Sequence, residues 1–173
     1  GDLFNLYVFF EIMLMASFVL MALHRTNDQV AAAFNYVTIN LLASAVFLTG
    51  LGLLYGSAGT LNMADLAAVW PSRHEPGLDL VLAMLFLTAF GIKAALFPFL
   101  FWLPASYPLP PAPIGAVFAG LLTKVGIYAL IRVFSLLFRD GSPWPLTLLL
   151  WMSIATMLLG LIGALSQRDF RRV

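Results

Sequence analysis

The sequence predicts an all-α, multi-pass membrane protein, and three observations carry that prediction. Of its 173 residues, 62% are hydrophobic and 10% charged, with a mean hydropathy of +0.97; a soluble domain carries about 25% charged residues. Its apolar runs reach the ~20 residues that a helix needs to cross the hydrocarbon, well beyond the ~10-residue alternating strands of a membrane barrel. Between the runs lie clusters of Gly, Pro and polar residues that break helices.

Five segments are long enough to span. The first runs from about Leu3 to Leu23 and ends in His24-Arg25-Thr26-Asn27-Asp28. It is too long for a signal peptide and carries Glu11 at its centre, so a cleaved leader is rejected. The second runs from about Val30 to Tyr55, with Asn35, Thr38 and Asn40 in its first half, and stops at Gly56-Ser57-Ala58-Gly59-Thr60. Residues 61–77 are too short and polar to span, and Trp70 with Pro71 predicts a short interfacial helix and its exit. The third segment runs from Asp79, a favourable charge at a helix N-terminus, to about Leu103. Pro98 lies inside it and deletes a backbone hydrogen bond, so the expectation is a break that strands the Ala94 carbonyl beside Lys93. Residues 104–113 hold five prolines in ten positions and read as a rigid turn. The fourth span runs from about Ile114 to Phe138 and is closed by Arg139-Asp140-Gly141-Ser142-Pro143. The fifth runs from about Trp144 to Leu165, followed by Gln167-Arg168-Asp169-Phe170-Arg171-Arg172. Beginning at Gly1 and stopping after a basic cluster, residues 1–173 read as one membrane domain, an internal fragment of a longer polytopic protein.

Positive residues collect on the inner side. Arg25, Arg168, Arg171 and Arg172 fall on one side of the five spans; Arg73 and Arg139 fall on the other, joined by Arg132 if it snorkels. That places Gly1 outside and the tail in the cytoplasm. A net charge of +1 offers no basic face for nucleic acid. The absence of cysteine removes disulfide and thiolate chemistry, and two isolated histidines, His24 and His74, make no metal set. No phosphate loop, hydrolytic triad or haem or flavin motif is present, so no cofactor and no metal are expected.

Function is expected from three charges at the middle of apolar spans: Glu11, Lys93 and Lys124. Each costs roughly 2.5–3.5 kcal/mol to insert at the bilayer centre, and helix rise places all three within a turn or two of the midplane. Removing water favours a neutral amine and a nearby carboxylate favours the ammonium, so a lysine beside a glutamate is a switchable proton carrier. The expected path runs Glu11, Lys93, Lys124, with the hydroxyls of Thr88, Ser106, Tyr107, Thr123 and Tyr128 ordering water. The purely structural alternative has Glu11 pairing with one lysine while the other binds a carbonyl; buried ion pairs stabilise poorly relative to apolar packing. Arg132, eight residues beyond Lys124, reads as snorkelling to the outer interface, and Asp65, Arg73, His74 and Glu75 in the polar loop read as solvated surface. The 15 phenylalanines read as packing or lipid-facing groups, and Gly115 and Gly120 with Ala116 and Ala119 as a close helix contact.

Three stretches in order, GDLFNLYVFFEIML, GIKAALFPFLFWLPASYPLPPAP and AGLLTKVGIYALIRVF, resemble the antiporter-like subunits shared by complex I, membrane-bound hydrogenases and Mrp-type (Mnh/Pha) cation/proton antiporters, the Mrp D branch above all. The resemblance implies a fold of about fourteen helices with inverted repeats, of which this chain is helices five to nine. It implies a helix-five glutamate at Glu11, a helix-seven lysine at Lys93 on a broken helix, and a helix-eight lysine at Lys124. Complex I relatives carry a histidine two residues before the tryptophan of WLP, and an aspartate and a histidine just after that motif. Leu100, Ala105 and Tyr107 stand there instead, which favours the Mrp D branch and argues against a relay through that turn.

The resulting expectation is a transporter subunit rather than an enzyme. It translocates protons within a hetero-oligomeric Na⁺/H⁺ antiporter of the bacterial cytoplasmic (inner) membrane, with other membrane subunits, protons, Na⁺ and the lipid bilayer as partners and no nucleic acid. The alternative is a proton-pumping subunit of complex I or a membrane-bound hydrogenase, where redox chemistry supplies the energy. A non-transporting scaffold is the third class.

Overall fold

In the computed structural model, residues 1–24, 26–73, 75–138 and 144–167 are described. His74 and the arginines used for orientation at Arg25, Arg139, Arg168, Arg171 and Arg172 lie outside them, as do Asp140, Gly141, Ser142, Pro143, Asp169 and Phe170. Among the described residues, five helical segments are long and apolar enough to cross a membrane.

Helix α1, Leu3–Met21, starts where the Asp2 carboxylate accepts from the Phe4 and Asn5 amides at 2.7 and 3.1 Å, capping two of its four free donors. Helix α2, Asn27–Ala58, is capped by Thr26 and stops at Gly59, whose φ of 75° lies in the left-handed region that glycine adopts freely. Helix α3, Met63–Val69, with the 3₁₀ turn Trp70–Ser72, is the short helix expected in the polar loop. Trp70 is 1% exposed, however, so it packs into the core and does not anchor an interface. Helix α4, Pro76–Ala94, begins with a proline where the missing N–H would be unpaired anyway. A 3₁₀ turn, Phe99–Phe101, leads into α5, Trp102–Ser106, and α4 to α5 together form the third span. Helix α6, Ala112–Val117, runs through a π turn, Phe118–Leu122, into α7, Thr123–Leu137; helix α8 is Trp144–Ser166.

Helix α2 is central, packed against α1, α4 and α5, while α4 packs on its other side against α7. Phenylalanines interlock at this centre: Phe47 lies edge-on to Phe90 at 4.7 Å and Phe86 stacks on Phe90 at 5.9 Å. Such aromatic pairs contribute about 0.5–1.5 kcal/mol beyond their buried area. Two hydrogen-bonded seams define the ends of the bundle. At one, Leu3 and Met63 amides donate to the Leu61 and Gly1 carbonyls. At the other, the Gln29 side chain donates to the Leu109 carbonyl at 3.0 Å, tying the start of α2 to the proline turn.

Candidate functional site

Lys93 sits on the last turn of α4 because the helix ends immediately after it. Ala95 adopts φ 53°, a conformation costing an alanine roughly 1–2 kcal/mol. The Leu96 amide then closes back on the Gly91 carbonyl at 2.9 Å. The expectation of a helix running on to Pro98 needs correction: the helix stops at Ala94, four residues before the proline. Two backbone groups at this break take side-chain partners. The Ile92 carbonyl accepts from Trp102 Nε1 at 2.9 Å, and the Phe97 amide donates to Thr156 Oγ1 of α8 at 2.8 Å. Polar backbone in a membrane must be satisfied by protein or water, and here side chains of two other elements satisfy it.

The Lys93 side chain is 5% exposed. Its Nζ donates to Ser44 Oγ of α2 at 3.0 Å and lies 4.8 Å from the centre of the Phe10 ring of α1, a cation–π geometry. Tyr36, Asn40, Trp102 and Lys93 share a cavity of about 10 Å³, the size of one water. Glu11 is half-buried on α1, next to Phe10, and among the described residues its buried Oε1 has no hydrogen-bond partner. Among the described residues no direct ion pair joins that carboxylate to the Lys93 ammonium, which is bonded to Ser44 instead.

Lys124 is exposed on this chain, beside a cleft of about 420 Å³ between the proline turn and α6–α7. Its ammonium donates to the Ala119 carbonyl, and Tyr107 donates to the adjacent Phe118 carbonyl at 3.3 Å. Both acceptors belong to the π turn, whose wide pitch disturbs the normal backbone ladder; such bulges recur at functional sites. Burial, then the neighbouring Tyr36 hydroxyl, push the Tyr107 phenol above its ordinary value, so it stays protonated and remains a donor. The carbonyl-binding part of the structural alternative is thus seen at Lys124, whereas the direct glutamate–lysine pair is not.

Gly126 is what lets α7 reach the break. A Cβ there would lie 2.7 Å from the Ala94 nitrogen and 2.9 Å from the Lys93 carbonyl carbon. The close contact expected at Gly115 and Gly120 falls elsewhere: Gly120 has nothing within 4 Å, and Gly115 meets only the Tyr107 carbonyl at 3.6 Å. Ser44 escaped notice in the sequence because a single serine in an apolar helix looks like packing. The four-residue steps from Tyr36 to Asn40 and from Asn40 to Ser44 are the signal that marks one polar face. Of the expected hydroxyls, Ser106 and Thr123 are buried and Tyr107 partly so, while Tyr128 is exposed.

A multi-pass helical membrane protein with an ammonium sealed at a helix break is the class that this geometry defines. The chain belongs to the transmembrane family described as NADH:quinone oxidoreductase/Mrp antiporter, which matches it over residues 1–173. It is 49% identical over all 173 residues to the D-type Na⁺/H⁺ antiporter subunit of Alkalihalophilus pseudofirmus, covering 35% of that protein. Among solved structures, it is similar to a chain of the Mrp complex from Dietzia sp. DQ12-45-1b, with 39% identity, a TM-score of 0.87, and coverage of 99% of this chain and 32% of that one. A chain of the membrane-bound sulfane sulfur reductase, an archaeal respiratory membrane complex, matches with 34% identity, a TM-score of 0.92, and coverage of 99% and 35%. The chain thus spans about a third of the length of the relatives it matches.

Proposed function

We propose that this chain is the Lys93-bearing part of a proton-translocating subunit of a multisubunit Na⁺/H⁺ antiporter in a bacterial cytoplasmic membrane. The observation that carries the reading is Lys93 itself, a 5% exposed ammonium with one hydroxyl and one aromatic face as its direct partners. Burying a charge with so little compensation is expensive, and an expensive charge is one that small movements of its surroundings can discharge. The names of the relatives supply the cation and the assembly. In this mechanism Glu11 favours the protonated state from a distance. When the Glu11 carboxylate moves away, Lys93 releases its proton through water toward Lys124, whose carbonyl contact is a resting position.

The likeness to the sulfane sulfur reductase chain supports a second reading, in which the same buried lysine serves a redox-driven pump. Everted vesicles holding the full-length subunit with its operon partners separate the two. Proton efflux on adding Na⁺, lost in Lys93→Ala with the complex still assembled, is the expected result. Wild-type exchange in the assembled Lys93→Ala complex refutes the role of Lys93. Proton pumping on adding an electron donor, with no Na⁺ response, moves the protein to the redox-driven branch.

A further inference from the structure

The buried face of α2 carries four polar residues up to Ser44, before it turns apolar at Phe47, Leu51 and Leu54. Gln29, Tyr36, Asn40 and Ser44 are all buried, and their spacings of seven, four and four residues put them on one side of the helix. The stripe is about 22 Å long at 1.5 Å per residue. Its inner end is the Ser44 hydroxyl on Lys93. Next comes the one-water cavity that Tyr36 and Asn40 share with Lys93 and Trp102; Asn40 is held there by donating its Nδ2 to the Tyr36 carbonyl at 2.9 Å.

The outer end has two polar atoms that folding leaves unmatched among the described residues. Gln29 is 6% exposed and its Nε2 is tied to Leu109, yet its Oε1 has no partner there. Ser106 is 0% exposed and its hydroxyl has no partner there either. Ser106 lies one turn beyond Trp102 on α5, which packs along α2, and three residues before Leu109, the acceptor from Gln29. Leaving a buried donor or acceptor unmatched costs about 1–3 kcal/mol, and native proteins resolve this with bound water. An acceptor and a hydroxyl at one end of the stripe, and a one-water cavity at the other, are the fixed points of a hydrated line.

We infer that the buried face of α2 is a proton access route to Lys93, with Gln29 and Ser106 holding water at its mouth and Tyr36 and Asn40 holding the last water before the amine. The inference rests on the reading of Lys93 as a proton site. A proton arriving from the aqueous side binds one water oxygen while that water passes a different proton inward. The last transfer places a proton on the lone pair of neutral Lys93 Nζ, forming the ammonium. Gln29, Ser106, Tyr36 and Asn40 gain and lose no net charge; they position water.

Ser106→Ala tests this in the full-length subunit within its assembled complex. The hydroxyl has no partner among the described residues, so a merely structural role predicts equal or greater thermal stability and unchanged transport. A water-holding role predicts unchanged stability, Na⁺-driven proton efflux about fivefold slower, corresponding to one lost hydrogen bond, and a larger H₂O/D₂O rate ratio as proton access becomes limiting. Gln29→Leu should slow efflux at least as much. If Lys93→Ala abolishes efflux while Ser106→Ala and Gln29→Leu match wild type in rate and isotope effect, the access route is wrong and the reading of Lys93 stands. If Lys93→Ala itself transports like wild type, both fall.

Discussion

Gly126→Ala is the sharpest test of how the Lys93 site is held. In an exposed helix interior, replacing glycine with alanine stabilises by about 1 kcal/mol. At Gly126 the new methyl would meet backbone on the opposing segment, 2.7 Å from the Ala94 nitrogen, 2.9 Å from the Lys93 carbonyl carbon and 3.0 Å from the Ala94 Cα. No rotamer relieves a contact with backbone, so α7 and the end of α4 must part by about 0.7 Å to reach ordinary van der Waals distance. Overpacking of this kind costs about 1–3 kcal/mol, which outweighs the gain in helix propensity and leaves a net loss of about 1 kcal/mol.

The functional effect should exceed the loss of stability. If the Lys93 backbone absorbs the displacement, the 3.0 Å Ser44 bond lengthens past the range of a useful hydrogen bond. Misplacing a reacting group by about 1 Å costs on the order of 100-fold in rate. Na⁺-driven proton efflux from everted vesicles should therefore fall about 10- to 100-fold in Gly126→Ala, with a lower melting temperature for the purified complex. Gly52→Ala is the control, because a Cβ there has nothing within 4 Å; it should transport normally and melt at or above wild type. A Gly126→Ala complex that transports like wild type and melts as high as Gly52→Ala would refute the argument that backbone contact at this glycine positions Lys93.

Three further outcomes follow from the same geometry. Ser44→Ala removes the direct hydrogen bond to the buried ammonium, worth about 1.5–3 kcal/mol for a charged group, and should slow efflux at least about tenfold; an unchanged rate removes Ser44 from the site. Thr156→Val leaves the Phe97 amide without its acceptor and should destabilise the complex by about 1–3 kcal/mol, while Thr156→Ser, which keeps the hydroxyl, should melt like wild type; equal melting of both variants refutes the anchor. Glu11→Gln keeps the shape and removes the charge, and since Glu11 makes no direct ion pair among the described residues it should slow efflux without abolishing it; a wild-type rate refutes its proposed electrostatic role.

The apolar runs made the number of spans legible, because length and hydropathy depend on composition alone. The charges at Glu11, Lys93 and Lys124 were equally visible, since each interrupts such a run. What stayed hidden depends on where the backbone departs from α geometry. Pro98 advertises a break, but the turn forms earlier, at an alanine in the left-handed region, and no local rule marks Ala95 for that conformation. The π turn at Phe118–Leu122 likewise has no composition of its own. Gly126 could not be told from Gly120 by type, because the difference lies in which face of the helix meets α4. Tyr36, Asn40 and Ser44 were readable as a face only with the helix period applied to the sparse polar residues instead of the abundant apolar ones.

The two lysine-bearing segments share a physical logic. Each leaves regular α geometry within a few residues of its lysine: α4 ends one residue beyond Lys93, and the π turn ends two residues before Lys124. Near each departure, backbone carbonyls accept from side chains, Ile92 from Trp102, Phe118 from Tyr107 and Ala119 from Lys124. An unbroken α-helix would present these carbonyls to its own next turn, leaving no fixed polar groups beside a charge deep in an apolar bundle. A break supplies such groups without importing further charged residues. The antiporter and respiratory relatives share this stretch of fold, so it cannot by itself specify the energy source. That distinction has to lie in side chains such as Leu100, Ala105 and Tyr107 at the proline turn, or in parts of the protein that this stretch does not contain.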